Sequence, residues 1–418
     1  MPPALGIIAD DFTGAVMVAG MLEGEGVHAP VLFCRDAVAP VGAGVLIAAA
    51  RSRTVAVDLA LAEIAALHDA LHRAGCTRIA YKACASFDST AQGNIGPAAD
   101  FLADRAGRRP VLMSAGFPRF GATVHQGYLF YRNRLVSESI KRLDPLTPMA
   151  DPDLVRFLGQ QTPHPVGLIG HLTLRDGVAA ARAALARLTA EGVGHVLLDA
   201  SDDGDVAFSA ELAAEMELPV VASDPLIVAL ARRLAPMAVV PRPIAPPVGP
   251  VAVLAGSTGP VVLAQLAALA KVHPVLTLDL LDAQGADGLV AMALDWAARQ
   301  PGSFGISTAT DAAGLLRSQS ALGPLGAARL AEEVLAGVAQ GLHRRGQRRF
   351  VVAGGETSGA VVGALGVQGA RAMPEGRLGL GVCLTDGDAP LWLFLKPGKL
   401  GGDEILVTAV AEGEGQSG

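Results

Sequence analysis

The sequence predicts an α/β fold: two three-layer α/β/α domains, each built on a mainly parallel sheet. Short apolar runs alternate with helical patterns along most of the chain, which is typical of parallel strands covered by helices. A proline-rich stretch at 241–250, PRPIAPPVGP, suits neither a helix nor a central strand, so it predicts a linker between domains 1–240 and 251–418. Loops rich in glycine and small hydroxyl residues follow several apolar runs, and parallel sheets bind ligands at the ends of such strands.

The composition limits the class of protein. The chain has 418 residues, which predicts about two or three domains, and its 51% hydrophobic and 17% charged residues indicate a globular protein. A formal net charge of −7 argues against a nucleic-acid or membrane surface. No apolar run reaches the roughly 20 residues of a membrane span, the start MPPALGIIADDF does not resemble a signal peptide, and four scattered cysteines form no zinc spacing. These features predict a soluble, cytoplasmic protein.

The first domain begins with an apolar strand at 4–9 that ends in Asp10 and Asp11, before a helix at about 14–23. Adjacent carboxylates on an extended backbone point to different sides. One of them can therefore face a ligand as a general base or as a ligand to a metal-bound water. The alternative is that both cap the helix, which the pattern alone favours.

Cationic and polar residues follow the next two strands. The strand at 45–49 runs into Arg51 and Arg53, which suit a carboxylate or phosphate ligand but fit an ordinary surface equally well. The strand at 78–82 ends in Lys82 and a loop dense in hydrogen-bonding groups, among them Ser86, Asp88, Ser89, Thr90 and Asn94. Such a loop fits a polyhydroxylated ligand, and a solvated loop without a ligand is the alternative. Further strands are predicted at 111–115, 166–170, 195–199 and 219–222.

Three loops of small residues mark the second domain. The first ends the strand at 251–257 and contains Gly256, Ser257, Thr258 and Gly259. The second follows the strand that begins at 350 and contains Gly354, Gly355, Glu356, Thr357 and Ser358. The third follows the strand at 391–395 and contains Lys396, Gly398, Gly401 and Gly402. Glycines let the backbone approach a ligand closely, and the N–H groups of a helix start favour an anion. Each loop alone fits an ordinary turn, but together they predict a nucleotide-phosphate site. No GxxxxGK[ST] motif occurs.

These motifs together resemble the four-carbon acid sugar kinases, formerly a family of unknown function. The matching stretches are IADDFTGA at 8–15, RSR at 51–53, KACASFDSTAQGNIGP at 82–97, VHQGYLF at 124–130, PLTPM at 145–149, VVAGGETSGAVV at 351–362 and LKPGKLGG at 395–402. Within the family, FDSTAQGNIGP and PLTPM look most like the 3-oxo-tetronate 4-kinases. The matches extend over nearly the whole chain.

The resemblance implies a substrate domain at 1–240, an ATP domain at 251–418, and an active site in the cleft between them that closes to exclude water. ATP and Mg²⁺ are the expected cofactors. Asp11 would act as the catalytic base, with Asp10 as its partner or a cap, and Arg53 and Lys82 would hold the sugar-acid carboxylate. Asp88, Ser89 and Asn94 would bond its hydroxyls. The nucleotide would be held by Ser257, Gly354, Gly355, Glu356, Thr357, Ser358, Gly398 and Gly401.

The chain departs from the family pattern at several positions. Met17 stands where an acid is usual, Phe120 and Ala122 stand in place of an Asn-Gly-Arg-Thr run, Lys399 replaces an asparagine, and 223–225 replaces a Gly-Gly-Ser. The expected reaction is phosphorylation of the 4-hydroxyl of a 3-oxo-tetronate in carbohydrate catabolism. A homodimer is compatible with this expectation. The alternatives are a kinase of threonate, erythronate or a branched 3-oxo acid, or a weakly catalytic member that binds nucleotide and metabolite. A dehydrogenase fits poorly because no GxGxxG follows a strand.

Overall fold

The computed structural model describes residues 2–37, 40, 42–144, 146–235, 244–256, 259–282, 285–309 and 311–415. The chain divides into two compact units, Met1–Val240 and Pro241–Gly418. Three sequence-based assignments lie wholly or partly outside the described residues: the first three residues of the proline-rich stretch, 241–243, Pro145 of the PLTPM motif, and Ser257 with Thr258.

The first unit is built on a parallel sheet with a small antiparallel sheet beside it. Its strands are β1 (Leu5–Ala9), β2 (Val31–Leu32), β3 (Val45–Ala49), β4 (Ile79–Lys82), β5 (Val111–Ser114), β6 (Ala122–His125), β7 (Tyr128–Tyr131), β8 (Arg134–Leu135), β9 (Val166–Ile169), β10 (His195–Leu198) and β11 (Val220–Ala222). The parallel strands run in the order β2-β3-β1-β4-β11-β5-β10-β9, while β6, β7 and β8 pair antiparallel. Every residue of β1, β3, β5 and β10 is buried, because both faces of such a sheet are covered.

The helices of the first unit supply that cover. They are α1 (Phe12–Gly24), α2 (Val57–Arg73), α3 (Ile95–Ala106), α4 (Leu154–Gly159), α5 (His171–Arg175), α6 (Val178–Ala190), α7 (Asp203–Met216) and α8 (Asp224–Leu234). Helix α2 shows why they form: its buried residues Ala60, Ile64, Leu67 and Leu71 repeat at helical spacing and make one apolar stripe. Ile64 and Leu67 join Leu46 and Tyr81 of the sheet in one core.

The second unit repeats the architecture with fewer strands. Its elements are β12 (Ala252–Ala255), α9 (Pro260–Leu269), β13 (Val275–Thr277), α10 (Gly285–Ala297), β14 (Phe304–Ser307), α11 (Ala312–Leu322), α12 (Pro324–Arg344), β15 (Arg349–Ala353), α13 (Gly355–Ala364), β16 (Gly369–Ala372), β17 (Val382–Thr385), β18 (Trp392–Lys396) and α14 (Ile405–Gly413). The strand order is β13-β14-β12-β15-β18-β17-β16, and only the pairings of β17 are antiparallel. The predicted α/β class with mostly parallel sheets is confirmed.

This topology places the predicted site loops. In the first unit, the neighbours β3, β1, β4 and β11 carry their loops at one edge of the sheet, because parallel strands end together. In the second unit, β12, β15 and β18 are likewise adjacent and parallel. Residues far apart in sequence therefore meet within each unit.

Candidate active site

Asp10 and Asp11 follow β1, and the sequence left open whether each of them caps the next helix or faces a ligand. Asp11 has an extended backbone and caps α1: its Oδ1 accepts a hydrogen bond of 2.8 Å from the N–H of Gly14. Asp10 points to the other side, where its Oδ2 accepts a 3.0 Å hydrogen bond from the N–H of Cys84. One carboxylate is thus a helix cap and its neighbour belongs to a buried polar cluster.

Arg53 binds both carboxylates. Its Nε donates to Asp10 Oδ2 at 2.8 Å and its Nη2 to Asp10 Oδ1 at 3.0 Å, a bidentate pair, and the same Nη2 lies 3.0 Å from Asp11 Oδ1. Burial acts to raise the pKa of Asp10, but the charges of Arg53 and Lys82 outweigh it and hold that pKa below its usual value. Burial likewise opposes the charge of Arg53, yet Asp10 and Asp11 raise its pKa well above normal. The pair therefore stays ionised at neutral pH.

Lys82 lies between two carboxylates. Its Nζ is 3.6 Å from Asp10 Oδ1 and 3.6 Å from Asp224 Oδ2, and the residue is only 3% exposed. Although burial disfavours the ammonium, Asp224 and Asp10 raise its pKa. Lys82 reaches this place because Gly14, in the first turn of α1, has no side chain: a Cβ there would overlap the Lys82 Nζ.

Asp224 was not predicted from the sequence. It is the first residue of α8, it follows β11, and it is 3% exposed. Burial raises the pKa of Asp224 and Lys82 only partly compensates, while its Oδ1 is buried with no hydrogen-bond partner among the described residues. The sequence feature that could have identified Asp224 is its position just after a buried strand, which it shares with Asp10 and Asp11.

The charges of this cluster determine which ligand groups it suits. Three carboxylates, Asp10, Asp11 and Asp224, face two cations, Arg53 and Lys82, so one negative charge remains uncompensated. Among the described residues, Asp11 Oδ2 and Arg53 Nη1 have no partner, as Asp224 Oδ1 has none, but the side chains of Asp11 and Arg53 keep some exposure, 12% and 20%. The cluster is therefore suited to accept a hydrogen bond from a hydroxyl group and to donate one from Arg53.

The predicted hydroxyl-binding residues lie in the loop between β4 and α3, and each contacts protein. Asp88 pairs with the buried Lys141 at 2.7 Å, a partner that the sequence did not reveal. Ser89 accepts a 3.1 Å hydrogen bond from Gln161. The side-chain amide of Asn94 donates to the carbonyls of Ser52 and Val55, at 2.6 and 2.9 Å, which ties this loop to the segment that carries Arg53. Their contact with a ligand stays a prediction.

In the second unit the candidate nucleotide residues lie in loops after β15 and β18. Gly354 has a φ of 127°, a conformation that favours glycine, and its N–H donates to the carbonyl of Lys396 at 3.0 Å. Gly355 opens α13, with Glu356 in its first turn, while Thr357 and Ser358 are buried. Gly398 and Gly401 lie in the loop after β18, and Gly401 has a φ of 88°.

The loop after β12 approaches these residues, as the sheet order requires. A Cβ on Gly256 would overlap Thr357 Oγ1, so the two loops pack in direct contact. Ser257, predicted to bind phosphate, lies outside the described residues and stays a prediction. The described loops thus combine glycine backbone, a helix start and small hydroxyl residues, the chemistry that binds phosphates.

Among the described residues, no set of three or more His, Cys, Asp or Glu side chains is arranged to hold a metal ion. In that part of the chain, no helix is both long and apolar enough to cross a membrane.

Comparison with known proteins gives consistent results for both units. A family described as sugar-binding N-terminal domain matches residues 5–230, and one described as nucleotide-binding C-terminal domain matches residues 252–406. A 3-oxo-tetronate kinase from Burkholderia multivorans is 38% identical over 415 residues, 98% of this chain and 97% of its own length. A 3-oxo-tetronate kinase from Pseudomonas fluorescens is 37% identical over 422 residues, again 98% and 97%.

Solved structures are similar over the same length. A Salmonella typhimurium protein described as a candidate tRNA synthase is 32% identical, with a TM-score of 0.81 over 98% of this chain and 99% of its own. A Haemophilus influenzae protein from a family of unknown function is 28% identical, with a TM-score of 0.69 over 97% of this chain and 98% of its own.

Proposed function

Because this chain belongs to the four-carbon acid sugar kinase family, we propose that it transfers a phosphoryl group from ATP to the terminal hydroxyl of a 3-oxo-tetronate. It is a phosphotransferase with an alcohol group as acceptor, and its second unit carries the nucleotide-binding domain. The observation that carries the proposal for the acceptor is Asp11, whose Oδ1 is fixed while its Oδ2 has no partner among the described residues.

In this proposal Asp11 acts as the base. Its Oδ1 is held by the Gly14 N–H and by Arg53, so the orientation of the carboxylate is fixed before a substrate arrives. The terminal hydroxyl of the sugar acid would donate to Oδ2, and proton transfer to a positioned carboxylate contributes typically about 10²- to 10⁴-fold to a rate. The uncompensated negative charge of the cluster favours this hydroxyl donor.

The other charged residues have distinct parts in this proposal. Arg53 keeps its Nη1 for the carboxylate or a hydroxyl of the sugar acid, while Asp10 anchors the guanidinium from behind. Lys82, buried between Asp10 and Asp224, balances their charge. Asp88, Ser89 and Asn94 stay the proposed wall of the substrate pocket, since they shape the loop between β4 and α3.

The second unit would bind ATP through Gly354–Ser358, Gly398 and Gly401, with Ser257 as a further proposed contact. In this proposal Mg²⁺ would be held mainly by the phosphates of ATP and by water, since it usually takes only one or two protein carboxylates. When bound, it would neutralise charge on the phosphates. The predicted cytoplasmic location and homodimer remain predictions.

The test is ATP turnover with Mg²⁺ against a panel of 3-oxo-tetronates, tetronates and branched sugar acids. Asp11→Asn keeps a good helix cap but removes the base, so we expect kcat to fall by about 10²- to 10⁴-fold with little change in thermal stability. Asp202→Asn is the matched control, because Asp202 caps α7 with the same hydrogen-bond pattern and the same extended backbone.

The outcomes separate the alternatives. Turnover of a 3-oxo-tetronate that Asp11→Asn abolishes and Asp202→Asn preserves supports the proposal. Preference for threonate, erythronate or a branched acid would change the substrate but keep the reaction. ATP binding without turnover of any acid would favour a weakly catalytic, metabolite-binding member of the family.

A further inference from the structure

Lys396 is a buried lysine in the nucleotide-binding unit. It is the last residue of β18 and only 2% exposed, and no described carboxylate pairs with it. Its Nζ donates to two backbone carbonyls, those of Pro397 at 2.6 Å and Leu400 at 2.8 Å. Burial lowers the pKa of Lys396 to about 8. A buried ammonium whose partners are all neutral lacks the counter-charge that normally offsets desolvation, so an anion is expected to bind there.

A second buried side chain holds the same loop. Gln265 of α9 is fully buried, and its Nε2 donates to the carbonyls of Leu400, Gly401 and Gly402, each at 3.2 Å. The carbonyls of this loop therefore turn towards Lys396 and Gln265. Lys396 and Gln265 therefore hold the loop after β18 from the side on which its carbonyls lie.

Lys396 also adjoins the other predicted phosphate loop. Its carbonyl accepts the hydrogen bond from the N–H of Gly354, and α13 begins at the next residue. Two other charged residues lie near Lys396 or Gly354 in the sequence: Glu356, in the first turn of α13, and Lys399, in the loop after β18. Lys396 and the start of α13 thus lie at one edge of the sheet.

We propose that Lys396 is the phosphate-binding cation of the nucleotide site, with two of its N–H groups holding the loop after β18 and the third directed at the β- or γ-phosphate of ATP. The proposal rests on the proposed kinase function, which requires a triphosphate in this unit. In this proposal Lys396 both holds the loop after β18 in shape and supplies the positive charge that binds phosphate.

The test compares the affinities of AMP, ADP and ATP for the full chain, measured by calorimetry without sugar acid. Lys396→Met should weaken ADP and ATP by roughly 10- to 100-fold more than AMP, the usual effect of a lost charge-assisted hydrogen bond. Gln265→Met is the control for a loop that is merely loosened, and it should weaken all three nucleotides by the same factor. Thermal melting identifies variants that fail to fold, and Lys396→Arg keeps the charge if Lys396→Met does not fold.

The pH profile supplies a second readout. With a pKa of about 8, Lys396 of the free protein loses its proton progressively as pH rises from about 7 to 9; phosphate binding must then recapture a proton, so the ATP affinity of the wild type should fall over this range. Lys396→Arg should flatten this slope, because arginine stays protonated. AMP affinity should show no such slope in either protein.

The results that overturn the proposal are specific. An unchanged ATP affinity in Lys396→Met, or an equal loss for AMP and ATP, would reject phosphate binding by this lysine. Wild-type protein that binds ATP with the expected Lys396 dependence but phosphorylates no acid would reject the kinase function alone. Wild-type protein that phosphorylates an acid while Lys396→Met keeps its ATP affinity would reject this inference alone.

Discussion

The candidate sites of the two units are built from different material. In the first unit, charged side chains from β4 and from the segments after β1, β3 and β11 fix one another, with Arg53 held between Asp10 and Asp11. In the second unit, glycine backbone and a helix start form the site, and Lys396 with Gln265 holds the loop by its carbonyls. A small polyhydroxylated acid requires directional side chains, whereas the phosphates of a nucleotide can be bound by N–H groups. Substitutions in the two sites should therefore lower stability and binding for different reasons: lost charge pairs in the first unit and disturbed close packing in the second.

The largest expected effect tests the charge network of the first unit. Asp10→Asn removes the anion that pairs with Arg53, and breaking a buried pair of this kind costs about 3–5 kcal/mol of unfolding free energy. Asp224→Asn removes another neighbour of Lys82, but burial raises the pKa of Asp224, so a neutral side chain there should cost less stability than Asp10→Asn does. Equal costs for the two variants would show that Asp10 is not the anchor of the network.

The pH dependence of Asp10→Asn sharpens the same point. The pKa of Asp10 is lower in the folded protein than in the unfolded chain, so its stabilising effect is complete above the unfolded value of 3.8 and is lost as pH falls through the folded value. The difference in stability between wild type and Asp10→Asn should therefore be full at neutral pH and shrink in acid. A difference that grows on acidification would contradict the assignment.

The aromatic residues of the two units make it possible to measure which unit loses stability in Asp10→Asn. The chain's two tryptophans, Trp296 and Trp392, lie in the second unit, and its three tyrosines, Tyr81, Tyr128 and Tyr131, lie in the first. Tryptophan fluorescence during urea unfolding therefore monitors the second unit, and hydrogen exchange of the β1 and β4 amides monitors the first. Asp10→Asn should reduce protection in β1 and β4 and leave the fluorescence transition in place.

A smaller effect tests the close packing in the second unit. A Cβ at Gly256 would overlap Thr357 Oγ1, and overpacking of this kind costs about 1–3 kcal/mol. We expect Gly256→Ala to move the tryptophan-monitored transition to lower urea and to weaken ATP binding. Adding Thr357→Ala should recover most of the loss of stability, since it removes the overlap. Gly363→Ala is the control, because a Cβ there meets nothing within 4 Å; a comparable loss in that control would mean that the packing is not specific.

The sequence predicted the parts of both sites that are local. A buried strand followed by acids and a helix gave Asp10, Asp11 and α1, and the apolar run at 350 followed by glycines gave β15 and α13. Partners that come from distant parts of the chain were missed: Asp224 beside Lys82, Lys141 beside Asp88, and Gln265 under the loop after β18. Their proximity depends on strand order and helix packing, which periodicity does not encode.

Two features of the fold were missed for local reasons. Helix α11 was not predicted, and Gly323, with a φ of 72°, separates it from α12. The antiparallel strands β6–β8 were not predicted either, since they are short and a turn at Gln126 and Gly127 interrupts the alternation.

The central claim is transfer of a phosphoryl group to the terminal hydroxyl of the sugar acid, and the most direct measurement is the proton-coupled ³¹P NMR spectrum of the product formed from ATP and a 3-oxo-tetronate. An ester on the terminal CH₂–OH places two protons three bonds from phosphorus, so the account predicts a triplet. Asp11→Asn should give no such signal in the same time. A doublet would place the phosphate on the secondary hydroxyl, and a singlet would indicate an acyl phosphate or hydrolysis to inorganic phosphate; either result would contradict the account.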